Sequence, residues 1–272
     1  MSVLCVGPMA FVCALAESEE SGRNYAMRTV LTFLSLFLFL VLSIPLFLLF
    51  KLIGVFNRRA CASLSQSVVN FGFRMVLLSA GVKIRCIGKE NVPTDRAVLY
   101  TANHRSYADI PIGYLTVPGV TGFIAKTQIK KVPSLSWWMT NMNCLFLDRD
   151  DMRQGMKTIL AAIDNIKAGF SMFVMPEGTR NHQDEMLPFK EGTFKIAIKS
   201  GCPIIPVAIT NSDAIYELHR PWVRKANVII HYGKPIFVED LTPEETKTIG
   251  AHVRGIIAGM LEEDAPLLKS RK

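Results

Sequence analysis

Two residues of this 272-residue chain form a pair able to move a proton. They are His104 and Asp109, in the run Asn103-His104-Arg105-Ser106-Tyr107-Ala108-Asp109. Imidazole is the side chain whose ordinary pKa suits a general base near neutral pH. A carboxylate on its second ring nitrogen fixes the tautomer and stabilises the imidazolium. Residues five apart on a regular helix are rotated by about 140° and do not meet. They meet if His104 lies on a turn and Asp109 in the first turn of a helix, and Ile110-Pro111 marks a helix beginning there. Taken alone, the pair also reads as a helix-capping Asp beside a partly buried His.

Three further stretches carry chemistry. Phe146-Leu147-Asp148-Arg149 is an apolar run ending in a charge pair, which also reads as a surface salt bridge at a strand end. Phe173 to Met175 runs into the loop Pro176-Glu177-Gly178-Thr179-Arg180. Loops after the strands of an α/β sheet are where ligands bind, and Arg149 and Arg180 suit bidentate capture of a phosphate. Ile204-Ile205-Pro206-Val207 is strand-like, with Pro206 marking an edge or a bulge. Lys126, Lys130, Lys131 and Lys190 are cationic candidates for a phosphate or an acidic carrier, or simply solvated lysines. His182, Asp184 and Glu185 have no second His at a ligand spacing, so no metal site is expected. The six cysteines are scattered without a C-x-x-C and read as reduced thiols.

These residues need a scaffold, and the sequence supplies strand and helix patterns in alternation. Runs of β-rich residues lie at 82–87, 97–101, 122–125, 144–147, 171–175, 204–209 and 228–232. Between them, Met152, Met156, Ile159, Ile163 and Ile166 make one amphipathic stripe, and 193–200 reads as a helix stopped by Gly201. Thr242-Pro243-Glu244-Glu245 is a capping box opening a last helix with Ile249, Val253, Ile256 and Met260 facing inward. Such alternation implies an α/β domain: a mixed β-sheet flanked by helices.

Half the residues are apolar, and the excess sits near the N-terminus. Thr29–Phe50 is a run of 22 residues without a charge, the length of a membrane-spanning helix. It lacks both the cleavage site of a signal peptide and the polar face of a core helix. Pro45 would kink it, so a re-entrant helix fits as well. Seven basic residues and no acid follow between Lys51 and Lys89, which places the remainder of the chain on the cytoplasmic face and against anionic lipid. A second helical stripe, Leu64, Val68, Phe71, Met75 and Leu78, suits either core packing or a membrane interface. Trp137-Trp138 likewise suits either a membrane interface or the core. The division expected is an unstructured segment 1–28, a membrane-anchoring helix 29–56, an amphipathic interfacial helix 57–80 and a catalytic domain 81–272. Basic residues outnumber acidic ones 31 to 23, a balance suited to nucleic acid, an anionic membrane surface, an acidic carrier protein or a phosphorylated substrate.

Taken in order, N-H-x(4)-D at 103–109, the block ending in Arg149, E-G-T-R at 177–180 and the strand with Pro206 resemble the lysophosphatidate (1-acylglycerol-3-phosphate) acyltransferase family. The resemblance spans roughly residues 81 to 240, and Leu187 to Gly192 also looks like the segment that follows E-G-T-R there. It departs mildly at Ile205, where the family often has Val. The resemblance implies His104 and Asp109 as catalytic, with Asn103, Arg149, Glu177, Gly178, Thr179, Arg180, Lys190 and Pro206 binding substrate. His104 would take a proton from a lysophosphatidic acid hydroxyl as it attacks a thioester. Glu177, which would repel a phosphate, is expected to brace Arg149, Arg180 or a glycerol hydroxyl. The resemblance implies acyl-CoA or acyl carrier protein as donor, no cofactor, no nucleic acid and a place in the cell inner membrane. Glycerol 3-phosphate or another lysophospholipid could be the acceptor instead. A hydrolase built on Ser106, His104 and Asp109, and a non-catalytic lipid-binding protein, are the competing classes.

Overall fold

The computed structural model describes residues 8–148, 151–183 and 185–269, and the side chains among them from residue 22 to 268. Three helices come first: α1 (Pro8–Leu42), α2 (Ile44–Phe56) and α3 (Arg58–Ser79). Seven strands follow, β1 (Lys83–Ile87), β2 (Leu99–Ala102), β3 (Thr121–Lys126), β4 (Leu145–Leu147), β5 (Ser171–Val174), β6 (Ile204–Thr210) and β7 (Asn227–Tyr232). Among them lie α4 (Asp109–Thr116), α5 (Pro133–Asn141), α6 (Met152–Lys167) and α7 (Lys195–Ser200), and after them α8 (Pro243–Lys247) and α9 (Ile249–Lys269).

The strands form one sheet in the order β1-β7-β6-β2-β5-β3-β4, parallel throughout except between β6 and β7. Alternate residues of the central strands feed two cores. Tyr100 and Phe173 join α4 and α5 on one face, while Leu99, Met172 and Val174 meet α6, α7 and α9 on the other. Aromatic rings fill the first core, Tyr114 on Phe123 at 4.2 Å and Phe123 on Phe173 at 4.5 Å. The Thr242 capping box is present, and α9 buries Ile249, Val253, Ile257 and Met260, so Ile257 takes the place expected for Ile256.

In the apolar N-terminal region the structure departs from one expectation and decides two points that the sequence left open. First, α1 is helical from Pro8, so 8–28 is not the unstructured segment expected. Residues 1–7 lie outside the described residues. No proline interrupts 9–42, and only Gly22 weakens the helix. Second, the 22-residue run is not one straight helix. It turns at Ser43 because Pro45 has no N–H to give to the carbonyl four residues back. Trp138 holds the bend, its indole N–H donating to Ser43 Oγ at 2.9 Å. Third, the stripe of α3 points away from the protein. Phe71 and Leu78 are each about two-thirds exposed, while Ala62, Ser65, Gln66, Val69 and Gly72 face inward. A β-carbon at Gly72 would lie 2.5 Å from the Phe39 ring, so α1 and α3 are in close contact here because this residue has no side chain.

The inward polar residues of α3 bind the sheet's connections. Gln66 accepts from Thr121 N–H and donates to Gly119 O. Arg58 donates to Asn143 and Asn165 and lies over Phe170, which takes it out of the expected lipid-binding strip. The bent helix α1–α2 lies along the domain: Arg28 donates to Ala80 O, Ser134 to Leu40 O, and Phe47 stacks on Trp137. The face this layer turns outward is a continuous array of exposed Leu, Phe, Val and Met from Met27 to Leu78. Gly22–Leu42 is long and apolar enough to cross a membrane, and little of it is buried.

Candidate active site

The N-H-x(4)-D run leaves the C-terminal end of β2, and the E-G-T-R loop leaves the C-terminal end of the adjacent β5. From β2 the chain passes through α4 to β3 on one side, and from β5 it passes through α7 to β6 on the other. The crevice between two loops that diverge in this way is where open α/β sheets hold ligands.

His104 lies on the turn and Asp109 is the first residue of α4. His104 Nδ1 and Asp109 Oδ2 are 2.8 Å apart. The imidazole is 17% exposed and the carboxylate 0%. Nδ1 being taken, Nε2 is the nitrogen left for a substrate. The turn that carries them presents five successive backbone N–H groups, and each finds a side-chain oxygen. His104 N–H donates to Glu177 Oε1 at 2.7 Å. Arg105 and Ser106 N–H donate to Asp109 Oδ2 at 2.9 and 2.8 Å. Tyr107 N–H donates to Glu217 Oε1 at 2.8 Å, and Ala108 N–H to Ser106 Oγ at 3.0 Å. Three buried carboxylates therefore hold one turn, and His104 cannot shift without breaking charge-assisted bonds.

Several residues expected to touch substrate have other work. Asn103 is buried, and its amide exchanges both bonds with the backbone of Ile209, at 3.0 and 2.8 Å, so it ties β2 to β6 instead. Glu177 does not brace an arginine. Its second oxygen accepts from Leu187 N–H at 3.0 Å, so it ties the His104 turn to the loop at 187. Pro206 is not at an edge, because β6 lies inside the sheet. It sits at a bulge: Val207 faces Tyr232 but Ile204 faces Ile236, one residue out of register, and Pro206 O accepts from Gly233 N–H on that side. Ser106 is 1% exposed and its hydroxyl donates to Glu217 Oε2 at 2.7 Å, not to His104. That removes the nucleophile from the hydrolase reading.

Of the remaining candidates, Arg180 touches the turn that carries His104. Arg180 lies over the Tyr107 ring, 3.6 Å from its centre, and Nη1 is 3.7 Å from Glu217 Oε1. That Nη1 is buried, makes no hydrogen bond and faces the Glu217 carboxylate, while the Arg180 side chain as a whole is 26% exposed. Gly178 has φ +77°, and a β-carbon there would lie 3.0 Å from Lys190 Nζ, so the absent side chain lets the lysine cross the loop. Thr179 and Lys190 are exposed, as are Lys126, Lys130 and Lys131. Arg149 and Asp184 lie outside the described residues. Beneath Lys190 an apolar hollow is lined by Ile124, Leu147, Ile159, Val174 and Pro176.

The sequence reading missed Glu217 and Asp213, which accepts from Arg105 Nε at 2.9 Å. Both lie on the excursion 211–226 between β6 and β7, where no pattern marks them. A second His–Asp pair, His231 and Asp264 at 3.2 Å, joins β7 to α9. Burial pushes the Asp264 carboxyl up, offset in part by His231.

A family model described as Acyltransferase matches residues 83–210, which contain the His104 turn, the Glu177 loop and the strands beneath them. Over that span the chain resembles the Acyltransferase family. The chain is 31% identical over 195 residues to the 1-acyl-sn-glycerol-3-phosphate acyltransferase of Saccharomyces cerevisiae, covering 70% of this chain and 64% of that protein. It is 28% identical over 203 residues to the protein of that name from Salmonella typhimurium, covering 73% and 81%. It thus spans somewhat less than two thirds of the yeast relative's length. In fold it is similar to the crystal structure of the 1-acyl-sn-glycerophosphate (LPA) acyltransferase PlsC from Thermotoga maritima, with a TM-score of 0.77 at 24% identity, covering 92% of this chain and 98% of that one.

Proposed function

We propose that this acyltransferase moves a fatty acyl group from a thioester donor to the sn-2 hydroxyl of 1-acylglycerol 3-phosphate, giving phosphatidic acid. The observation that carries the reading is the His104–Asp109 pair, fixed at 2.8 Å on a rigid turn with the second ring nitrogen left free. His104 Nε2 takes the hydroxyl proton as the oxygen attacks the thioester carbonyl. Asp109, bonded to Nδ1–H, stabilises the imidazolium that forms. The tetrahedral intermediate collapses with loss of the thiolate, and His104 returns the proton to its sulfur. The acceptor oxygen is itself the nucleophile, so no acyl-enzyme forms.

Support for a phosphorylated acceptor comes from Arg180, partly exposed and laid over Tyr107 beside the catalytic turn, with Lys190 across the same loop. Arg149 is assigned to the same anion by its place in the family pattern. Support for a lipid acceptor comes from the helical layer. The 211–226 excursion that carries Glu217 also packs on α1, with Val223 N–H donating to Thr29 Oγ1 at 2.8 Å and Tyr216 against Phe33. The site therefore adjoins the exposed apolar face, and an apolar face of that extent marks a membrane contact. With both ends held against the domain, α1 and α2 lie in the membrane beside the domain rather than projecting from it. The basic run after Lys51 supports a domain on the cytoplasmic side of the inner membrane.

The test is purified protein in detergent, offered glycerol 3-phosphate, 1-acylglycerol 3-phosphate, monoacylglycerol and lysophosphatidylcholine with acyl-CoA or acyl carrier protein thioester. The reading expects 1-acylglycerol 3-phosphate to give the highest kcat/KM. Preference for any other acceptor would overturn it.

A further inference from the structure

We propose that Tyr107 is a positioning residue: its ring is the platform that holds the Arg180 guanidinium flat at the mouth of the site, and so sets the preference for a phosphorylated acceptor. The proposal rests on the functional reading above. No motif requirement places an aromatic at this position of the N-H-x(4)-D run. The geometry does so. Tyr107 is 60% exposed, although it follows a serine that is almost wholly buried. Its backbone is fixed by Glu217, so the ring stands at a set place beside the catalytic turn. Arg180 lies over that ring at 3.6 Å, the closest cation–ring approach among the described residues.

Arg180 reaches the site from a different strand, and little else holds it. Its distance from Glu217 Oε1, 3.7 Å, is too long for a hydrogen bond. A guanidinium without such bonds has many rotamers, and ordering it at the moment of binding weakens binding. A planar cation laid on a ring loses that freedom beforehand. Stacking uses the face of the guanidinium and leaves its N–H edge for the anion. Lysine has no face to stack, so the platform is matched to arginine. Glu217 belongs to the same arrangement. It holds the platform through Tyr107 N–H and attracts Arg180 through space, with one buried carboxylate serving both.

The test compares kcat/KM for 1-acylglycerol 3-phosphate and for monoacylglycerol, in the full-length protein in detergent with one long-chain acyl thioester. The readout is the ratio of the two. Cation–ring stacking of this kind corresponds to a change of about threefold to thirtyfold. Tyr107→Ala and Tyr107→Leu should lower the ratio by that factor, chiefly through KM for the phosphorylated acceptor. Tyr107→Phe keeps the ring and should restore the wild-type ratio. Ring exposure makes these variants compatible with the fold, which thermal melting checks, and Tyr107→Leu preserves apolar cover if Tyr107→Ala is unstable. An unchanged ratio in Tyr107→Ala and Tyr107→Leu, where Arg180→Ala lowers it, overturns the platform alone. A loss in Tyr107→Phe as large as in Tyr107→Ala transfers the role to the hydroxyl and also overturns it. An unchanged ratio in Arg180→Ala overturns the phosphate reading itself.

Discussion

Replacing Asp109 by Asn separates two ways in which a carboxylate can serve a histidine. Three donors converge on Asp109 Oδ2: His104 Nδ1–H and the backbone N–H groups of Arg105 and Ser106, at 2.8, 2.9 and 2.8 Å. In Asp109→Asn the two backbone donors select the amide oxygen for that position, because an NH2 group there would face three donors. The histidine tautomer is therefore retained. What is lost is charge. A charge-assisted hydrogen bond is worth about 1.5–3 kcal/mol and a neutral one about 0.5–1.5, so three bonds together lose roughly 3 kcal/mol of stability. That is a substantial part, but not all, of a typical 5–15 kcal/mol. Only the His104 bond strengthens when the imidazolium forms, so the barrier rises by about 1–2 kcal/mol, a fall in kcat of about fivefold to thirtyfold. Asp109→Ala instead leaves three buried donors without a partner, at about 1–3 kcal/mol each, and should melt far below the wild type. The assay is thiol release under saturating acceptor, with circular dichroism melting of the same preparations. A folded Asp109→Asn enzyme slowed about 10⁴-fold, the penalty for a wrong tautomer in a Ser-His-Asp triad, would refute the orientation argument.

Other substitutions test other parts of the account. Ser106→Ala should keep transfer within a fewfold while lowering the melting temperature, since Glu217 Oε2 loses its hydroxyl partner; abolished transfer in a folded variant would revive a serine nucleophile. Arg149→Ala and Arg180→Ala should each lower kcat/KM for 1-acylglycerol 3-phosphate by about tenfold to a hundredfold more than for monoacylglycerol, and equal losses on both acceptors would show that neither arginine reads the phosphate. Deleting residues 1–56 should release most of the protein from membranes. What stays bound through Arg59, Arg74 and Lys83 should wash off in salt, because exposed charges are screened within about 10 Å at 0.1 M. Unchanged pelleting at high salt contradicts that division. Gly178→Ala should reduce activity and stability together, because φ of +77° disfavours any side chain and Lys190 occupies the space. A variant with wild-type melting and turnover would dismiss that constraint.

How far the sequence could be read depended on whether a residue's partner was local. Each of the seven β-rich runs is a strand, because each is a short apolar segment between turn signals, and buried parallel strands are continuous apolar runs. The Thr242 box was equally plain, since caps act over three or four residues, and Pro111 marked the start of α4. The His104–Asp109 pairing was legible as soon as the turn was allowed for. The direction of the α3 stripe was not legible, because a periodic apolar face looks the same whether it meets a core or a membrane. What decides is that Ser65, Gln66 and Gly72 are the residues that fit against the sheet connections and α1. Asn103 and Glu177 were taken for substrate ligands because they lie in motifs. Their partners, Ile209 and Leu187, are backbone groups that only the fold brings near. Glu217 stands 111 positions from Ser106 in a loop without periodicity, and nothing local distinguishes it from a solvated acid.

The central claim is that His104 is the base for direct transfer to the acceptor hydroxyl, and the most direct measurement is thiol release from an acyl thioester with and without 1-acylglycerol 3-phosphate, in wild type and His104→Ala. The account predicts that release in the wild type requires the acceptor and matches phosphatidic acid formed mole for mole. It predicts a fall of about 10²–10⁴-fold in a His104→Ala protein that melts like the wild type. A burst of thiol equal to the enzyme without acceptor, or a folded His104→Ala enzyme with near-normal turnover, would contradict it.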